Sequence, residues 1–258
     1  MMPRKRIDFI GPPGAGKTSL INAIESEHNG WKARSNFIPE ILSTFYKKDD
    51  VSILVRLKSI YHLLQGNREV IGIDKLKLKR FYSDHFDTHR HVLSTAYRTL
   101  SDDEQEREFV KSVRIQLLNE VLKDQLLFEH HKHSASVGLF DDSFCNMLLL
   151  SILPQDIDVE KFKERIEPIR TSHFPNGVIY LFADCDTLFK RLIYRKQKNT
   201  SHLHLNEDEL RFSLQRQIDL YEKTEDLLRS INVPILKVKM SENHDTYIEQ
   251  SKKFISSL

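Results

Sequence analysis

A glycine-rich segment near the start of the chain has the residue types and the spacing of a phosphate-binding loop. Gly11 is followed after four residues by Gly16-Lys17-Thr18, and the apolar run Ile7–Ile10 comes directly before it. Glycines can adopt positive φ and bring successive backbone N–H groups close to phosphate oxygens at the start of a helix. We call this segment the P-loop. Its expected nucleotide-binding residues are Gly11, Pro12, Pro13, Gly14, Ala15, Gly16, Lys17, Thr18 and Ser19.

Two side chains of the P-loop have chemistry of their own. Lys17 is a point charge that can reach the β and γ phosphates of a nucleoside triphosphate. The hydroxyl of Thr18 can occupy one position on a magnesium ion that keeps most of its waters. The motif therefore predicts a nucleoside triphosphate and Mg²⁺ as ligands, and it leaves the choice between ATP and GTP open.

A pair of carboxylates follows a second apolar run. Ser136–Phe140 is typical of a buried strand, and it leads directly into Asp141 and Asp142. Ligands of an open α/β sheet bind at the carboxyl ends of its strands, where the P-loop also lies. We therefore expect Asp141 to hold magnesium directly or through a water. The alternative is that Asp141 or Asp142 caps a helix over Phe144–Leu153, a role that suits Asp142 better.

Glu40 is the candidate general base. It follows the apolar run Ala33–Ile38, which we predict as the second strand, so its carboxylate is expected beside the P-loop. A glutamate there could accept the proton of an acceptor hydroxyl that attacks the γ-phosphate. The alternative is a glutamate in the first turn of a helix, where the helix dipole favours it.

Two arginines are expected to supply positive charge to the transferring group. Arg191 and Arg195 lie at i and i+4 of a predicted helix, which puts both guanidinium groups on one face. The polar, basic residues 196–202 follow and are typical of a loop that closes over a nucleotide. An arginine-bearing lid would supply charge and exclude water. The alternative is a surface helix with two ordinary arginines.

These residues require a sheet that brings strand ends together. Five short apolar runs separated by helical stretches predict a three-layer α/β/α fold with a five-stranded parallel sheet. The runs are Ile7–Ile10, Ala33–Ile38, Ser136–Phe140, Gly177–Phe182 and Val233–Val238.

Residues 43–134 are predicted to be a helical insertion between the second and third strands of one domain that spans residues 1–258. Val51–Leu64 and Glu104–Glu129 have apolar residues at helical spacing. The insertion is expected to form the acceptor side. Its basic stretch Lys75–Arg90, with interleaved aromatic residues, is either a solvated helix face or a surface for an anionic acceptor such as a nucleic acid.

Composition limits the classes of partner. The chain has 258 residues with 39 Lys plus Arg against 37 Asp plus Glu, and a net charge of +2 gives no general reason to expect a nucleic acid or a membrane. Cys145 and Cys185 match no metal or disulfide spacing. The run Met147–Leu153 is too short to span a bilayer. We expect a cytoplasmic protein, and the sequence leaves its oligomeric state open.

Taken together, the motifs resemble those of nucleoside and nucleoside-monophosphate kinases, including thymidylate kinases. The resemblance covers about residues 5–42 and 135–258. It rests on the P-loop Gly-Pro-Pro-Gly-Ala-Gly-Lys, the acidic end of the third strand, the Asp/Thr and arginine pair after the fourth, and a later helix with Tyr221. It implies a P-loop fold and an ATP phosphate donor, with Glu40 as base and Asp141 on magnesium.

One residue departs from the family pattern. These kinases usually have an arginine directly after the acidic residue of the third strand, and here Asp142 takes its place. We therefore expect the acceptor to be bound through contacts that differ from those in the family. The resemblance does not imply the identity of the acceptor.

The sequence predicts a magnesium-dependent kinase that transfers the γ-phosphoryl group of ATP to a hydroxyl or phosphate of a small molecule. The alternative is a partner-regulated P-loop ATPase or switch protein that uses the insertion as a docking surface. The chain has no Asp-x-x-Gly switch element and no Asn-Lys-x-Asp base-reading element, which disfavours a GTPase.

Overall fold

The computed structural model describes residues 4–45, 75–102, 108–141, 143–146, 159–167, 169, 173–194, 205–240 and 244–258. Among them are five strands, and each is a short run rich in apolar residues, as strands covered on both faces require. They are β1 Lys5–Ile10, β2 Trp31–Ala33, β3 Val137–Phe140, β4 Gly177–Phe182 and β5 Ile235–Lys239.

Helices occupy most of the remaining described residues. They are α1 Lys17–Glu27, α2 Arg34–Ser43, α3 Lys75–Asp102, α4 Glu108–His130, α5 Val159–Ile166, α6 Cys185–Ile193, α7 Glu207–Ser230 and α8 His244–Ser257. None of the helices in this part of the chain is long and apolar enough to cross a membrane. Both cysteines are free thiols.

The strands form one parallel sheet in the order β2-β3-β1-β4-β5. β1 lies in the centre, with Asp8 opposite Phe140 of β3 and Ile10 opposite Tyr180 of β4. The predicted three-layer α/β/α arrangement, with a five-stranded parallel sheet and helices between the second and third strands, is confirmed. The P-loop therefore leaves the middle of the sheet at its carboxyl edge.

Side chains alternate between the two faces of β1. Ile7 and Phe9 belong to a core cluster with residues of α1, α6, α8 and the first half of α7. We call this side the first face. Burial of this cluster orients α1 and α6, the two helices that flank the P-loop.

The second face of the sheet carries Arg6, Asp8 and Ile10 of β1. Apolar residues of α2 and α4 cover its β3 side, and the second half of α7 covers its β4 side. α3 packs outside α4 through Val92 and Ala96. The described helices of the predicted insertion, α3 and α4, thus lie on the second face, away from α1.

The predicted second strand is wrong in its position. β2 ends at Ala33, and residues 34–38 belong to α2. Phe37, Ile38, Ile41 and Leu42 are all buried, and this spacing is that of one helix face. Their packing against α4 and β3 outweighs Pro39, which lies inside α2 and cannot donate a backbone hydrogen bond.

The first half of α4 extends beyond the sheet. His130 ends α4 shortly before the amino end of β3, so the helix runs antiparallel to that strand. Its 23 residues span about 34 Å, whereas the four residues of β3 span about 13 Å. The beginning of α4 therefore projects past the carboxyl edge on the second face. The other predicted helix of the insertion, Val51–Leu64, lies outside the described residues.

Candidate functional site

The P-loop has the backbone conformation that its glycines predict. Gly11, Gly14 and Gly16 have φ values of 140°, 86° and 90°. At Gly11 an added Cβ would lie 2.2 Å from the carbonyl oxygen of Leu181, so β4 approaches too closely for any side chain. α1 begins directly after Gly16, and the N-terminus of a helix favours an anion through its backbone N–H groups and its dipole.

Lys17 folds over the loop that precedes it. Its ammonium donates to the carbonyl of Gly11 at 2.5 Å and to that of Pro12 at 3.3 Å. A positive charge therefore lies over the same backbone segment whose N–H groups can bind an anion. The two features together suit this loop to the binding of an anion.

Thr18 and Asp141 meet across the carboxyl edge. The Thr18 hydroxyl Oγ1 and the Asp141 carboxylate Oδ2 are 3.5 Å apart, although they are 123 residues apart in sequence. β3 brings Asp141 there because it pairs directly with β1. The structure thus brings together the two residues predicted to hold magnesium. Asp142, the alternative helix cap, lies outside the described residues.

Arg191 lies beside the P-loop on α6. Its Nη1 donates to the carbonyl of Gly14 at 3.4 Å, and Leu188 and Leu192 of the same helix contact the loop at Gly14. The Asp/Thr pair after the fourth strand caps this helix, because Thr187 donates both its N–H and its hydroxyl to the Asp184 carboxylate. Arg195 and the predicted lid, residues 196–202, lie outside the described residues.

Glu40 is not brought to the P-loop. Its carboxylate accepts from Lys32 Nζ at 2.8 Å and from the N–H and hydroxyl of Ser134, each at 3.0 Å. Ser134 precedes β3, so Glu40 lies at the amino edge of the sheet, opposite to Lys17 and Thr18. It is the seventh residue of α2, which also excludes the alternative position in a first turn.

The surroundings of Glu40 fit a structural ion pair. Partial burial acts to raise the pKa of Glu40, but the hydrogen bonds from Lys32 and Ser134 outweigh it and hold the pKa below its usual value. A general base for attack on a phosphate needs access to the acceptor. Glu40 has instead three partners at the other edge of the sheet.

The basic stretch Lys75–Arg90 also begins at the amino edge. It forms the first half of α3, where Lys77 donates to the carbonyl of Thr44 at 3.5 Å and lies over the ring of Phe45. Phe81 contacts the ring of His131 just after α4. Part of this stretch is therefore packed against the protein, and its start is far from the P-loop.

The sequence analysis did not predict the buried polar side chains of β1, Arg6 and Asp8. Asp8 is fully buried in the middle of β1, and its carboxylate accepts from the N–H of Cys145 at 3.1 Å. Arg6 Nε lies 3.5 Å from the other carboxylate oxygen. Burial raises the pKa of Asp8, and the Arg6 charge and the hydrogen bonds from Cys145 and Ser143 act against it.

The signal for Asp8 was its charge within an apolar run. An ionisable residue in a strand that is covered on both faces requires a partner, and here the partner is the segment that follows β3. Asn146 belongs to the same segment and is also buried. Nothing in its local sequence spacing indicates that it contacts β1.

No family model matches the chain, and no curated protein sequence matches it. Among solved structures it is similar to those of deoxyadenosine kinase from M. mycoides. The structure with bound dCTP is 15% identical and has a TM-score of 0.45, and the one with the products dCMP and a flexible dCDP is 15% identical with a TM-score of 0.49. In both cases 98% of this chain and 100% of that chain are covered.

The structure of the same kinase with bound dATP is 13% identical over 98% of this chain and 99% of that chain, with a TM-score of 0.44. These are structures of a nucleoside kinase, the kind of protein that the sequence motifs resemble. Identities and TM-scores this low support no inference about the activity of this chain. The chemistry of this chain therefore has to come from its own residues.

Proposed function

We propose that the chain is a magnesium-dependent phosphotransferase that moves the γ-phosphoryl group of ATP to a hydroxyl or phosphate of a small molecule. The observation that carries this proposal is the meeting of Thr18 Oγ1 and Asp141 Oδ2, 3.5 Å apart, at the mouth of the P-loop. A phosphate-binding loop alone fits many nucleotide-binding proteins. A carboxylate beside its hydroxyl adds the means to hold a cation against the bound phosphates.

The donor side of the reaction is assigned to the P-loop. Its backbone N–H groups and the start of α1 bind the phosphate oxygens, and Lys17 neutralises charge on the β and γ phosphates. The fixed glycine conformations mean that little ordering is needed when the nucleotide binds. Such a preorganised site stabilises charge on the transferring group without reorganisation during the reaction.

Thr18 and Asp141 fit a magnesium ion. Both present oxygen atoms, which Mg²⁺ prefers, and their 3.5 Å separation is close to the roughly 3 Å between adjacent ligands of an octahedral ion with bonds of about 2.1 Å. When bound, the ion would neutralise charge on the β and γ oxygens. Asp141 and Thr18 would hold it in register with the loop.

Arg191 is assigned a role beside the transferring group. It lies on α6, which packs against the P-loop, and its guanidinium is already within hydrogen-bonding distance of the Gly14 carbonyl. Arg195 is retained in this proposal as the second arginine of the pair. Positive charge at this place would stabilise the charge spread over the equatorial oxygens.

The acceptor is assigned to the second face of the sheet, above its carboxyl edge. Arg34 follows β2 and forms an ion pair with Asp124 of α4. The part of α4 that precedes Asp124 therefore extends upward beside the carboxyl edge. We do not assign a general base to Glu40, since its carboxylate is held at the opposite edge.

The proposal is tested by measuring ADP release with Mg²⁺ present across nucleosides, nucleoside monophosphates, sugars and 5′-hydroxyl oligonucleotides. We expect one acceptor class to stimulate release by the wild-type protein, and Lys17→Ala to abolish it. Lys32→Ala is the matched control, because it removes a lysine from the other edge and should keep the activity.

Two outcomes would contradict the proposal. A fully active Lys17→Ala protein would exclude the P-loop as the phosphate site. Slow release by the wild-type protein that no acceptor changes, and that rises with a co-purified protein, would favour the partner-regulated ATPase instead.

A further inference from the structure

The segment that carries Asp141 is held to β1 by buried side chains. Asn146 is only 6% exposed, and its Nδ2 donates to the carbonyl of Asp141 at 2.8 Å and to that of Phe9 at 3.2 Å. The two carbonyls lie at the ends of two different strands. A single side-chain amide therefore joins the residue before the last of β1 to the first residue after β3.

The Asn146 amide lies where the backbone pairing of β1 with β3 ends. The pairing of β1 with β3 ends with Asp8 opposite Phe140. If the register continued, the next pair would be Phe9 and Asp141. Asn146 donates to both of these residues, so its amide continues the connection between the strands by one residue where the backbone ladder ends.

The rest of the segment fixes the amide in place. The Asn146 N–H donates to Ser143 Oγ at 3.2 Å, and the buried carboxylate of Asp8 accepts from the N–H of Cys145 at 3.1 Å. The first contact lies within the segment, and the second holds the segment to β1. The Asn146 side chain thus cannot shift without moving residues on both strands.

The Asn146 amide satisfies only part of its own hydrogen-bonding capacity. Asn146 Oδ1 is buried and has no hydrogen-bond partner among the described residues. A buried acceptor without a partner is unfavourable, and an apolar side chain of similar size would avoid it. The two donated hydrogen bonds are the feature that only an amide at this place provides.

We propose that Asn146 is a positioning residue that sets the place of Asp141 opposite Thr18 and thereby the affinity of the site for Mg²⁺. Phe9 lies two residues before Gly11, so the amide ties Asp141 to the strand from which the P-loop starts. The inference rests on the proposed function, because it takes Thr18 and Asp141 as the residues that hold the ion. Asn146 itself contacts neither nucleotide nor metal.

The experiment measures the affinity for ATP by calorimetry without Mg²⁺ and at increasing MgCl₂, and the rate of ADP formation over the same series. In Asn146→Ala we expect the half-saturating concentration of Mg²⁺ to rise about tenfold in both measurements, a usual effect of removing a residue that orients a metal ligand. The affinity for ATP without Mg²⁺ should stay within about twofold, because the P-loop is intact.

Two further variants separate positioning from packing. Gln125→Ala removes another buried amide, which donates to Glu129 on α4, and should leave the Mg²⁺ series unchanged even if it lowers stability. Asn146→Leu keeps a side chain of similar size, adds no charge beside the proposed Mg²⁺ site and loses both donated hydrogen bonds. It is the variant to use if Asn146→Ala does not fold, and the same rise is expected.

A folded Asn146→Ala or Asn146→Leu protein with the wild-type half-saturation for Mg²⁺ would overturn the inference, and so would a rise of equal size in Gln125→Ala. Failure of the proposed function is distinguishable. In that case the wild-type protein itself would bind ATP without regard to Mg²⁺, or Lys17→Ala would bind it as tightly as the wild type.

Discussion

At the amino edge of the sheet Lys32, Glu40 and Ser134 are joined by hydrogen bonds, and at the carboxyl edge Lys17, Thr18 and Asp141 meet. The two sets have the same kinds of side chain: a lysine, a carboxylate and a hydroxyl. At the amino edge the carboxylate has three donors and the lysine neutralises it. At the carboxyl edge the hydroxyl and carboxylate are 3.5 Å apart, and the lysine bonds to backbone carbonyls.

The difference lies in the backbone around each set. Glu40 is in the second half of α2, where the helix dipole disfavours a negative charge and a cation partner offsets it. Lys17 and Thr18 are in the first turn of α1, where N–H groups and the dipole favour an anion. Residue types alone therefore do not distinguish a binding site from a structural ion pair, whereas the direction of the adjoining helix does.

The largest expected effect, on ATP affinity, comes from substituting one glycine by alanine at each edge of the sheet. Gly11→Ala forces a Cβ to 2.2 Å from the Leu181 carbonyl at a φ of 140°, so we expect at least a hundredfold loss of ATP affinity. In Gly30→Ala the added Cβ meets only the Ser136 side chain, with Oγ at 3.1 Å and Cβ at 4.0 Å, at a φ of 97°.

Gly30→Ala should therefore lower the free energy of unfolding by about 1 to 2 kcal/mol and leave ATP affinity within about twofold. Calorimetric titration with ATP and urea unfolding test the pair. Wild-type ATP affinity in Gly11→Ala, or its loss in Gly30→Ala, would remove the distinction between the edges.

The carboxylates give the next largest effect. Asp141→Asn keeps the shape but weakens the hold on the cation, and we expect kcat/KM to fall about a hundredfold, equivalent to about 3 kcal/mol. Glu40→Gln loses only its charge pairing with Lys32 near the surface, which should lower the free energy of unfolding by less than about 1 kcal/mol. Steady-state kinetics of both variants measure this difference. A large loss of kcat in Glu40→Gln would restore Glu40 as the candidate base.

The largest pH effect on stability that we expect from a single histidine comes from the amino-edge half of the molecule. His89 of α3 is 3% exposed, and one of its ring nitrogens shares a hydrogen bond of 2.9 Å with His173. Burial lowers the pKa of His89 from 6.5 to about 3, and the nearby charges of His173, Arg6 and His130 act in the same direction. His89 is therefore neutral in the folded protein.

The sign of the effect follows from the unfolded chain, which binds a proton at His89 near pH 6.5. The contribution to stability is complete above that pH and is lost as the pH falls towards 3. Between pH 7 and pH 5 the free energy of unfolding should decrease by about 2 kcal/mol from this residue. His89→Gln should remove that part of the decrease, while the exposed His91→Gln should not. Urea unfolding at several pH values measures both, and an unchanged slope in His89→Gln would contradict the assignment.

The sequence was sufficient where function depends on neighbours along the chain. The P-loop, the strands β3 and β4, and Asp141 at the end of β3 could be predicted because a local motif or a continuous apolar run determines each of them. The boundary between β2 and α2 could not, since the short run Ala33–Ile38 fits a strand as well as a helix. That one error moved Glu40 to the wrong edge of the sheet.

Contacts between residues that are far apart in sequence could not be predicted either. Asn146 meets Phe9 across 137 residues of sequence, and a single amide has no periodicity to reveal its partner. Asp8 could have been flagged by its charge in a buried strand, but not assigned to Cys145. Such side chains are found only when the strand order is known.

The smallest expected effect concerns Arg191, and it tests whether the carboxyl-edge site includes this residue of α6. If its guanidinium acts on the transferring group, Arg191→Ala should lower kcat about tenfold, the equivalent of one hydrogen bond from a charged donor at about 1.4 kcal/mol. ATP affinity should change little, since Lys17 and the loop still bind the phosphates. Lys190→Ala removes an exposed cation from the same turn and is the matched control. A tenfold loss in both variants would indicate a general effect of positive charge on α6, and no loss in Arg191→Ala would confine the site to the P-loop, Thr18 and Asp141.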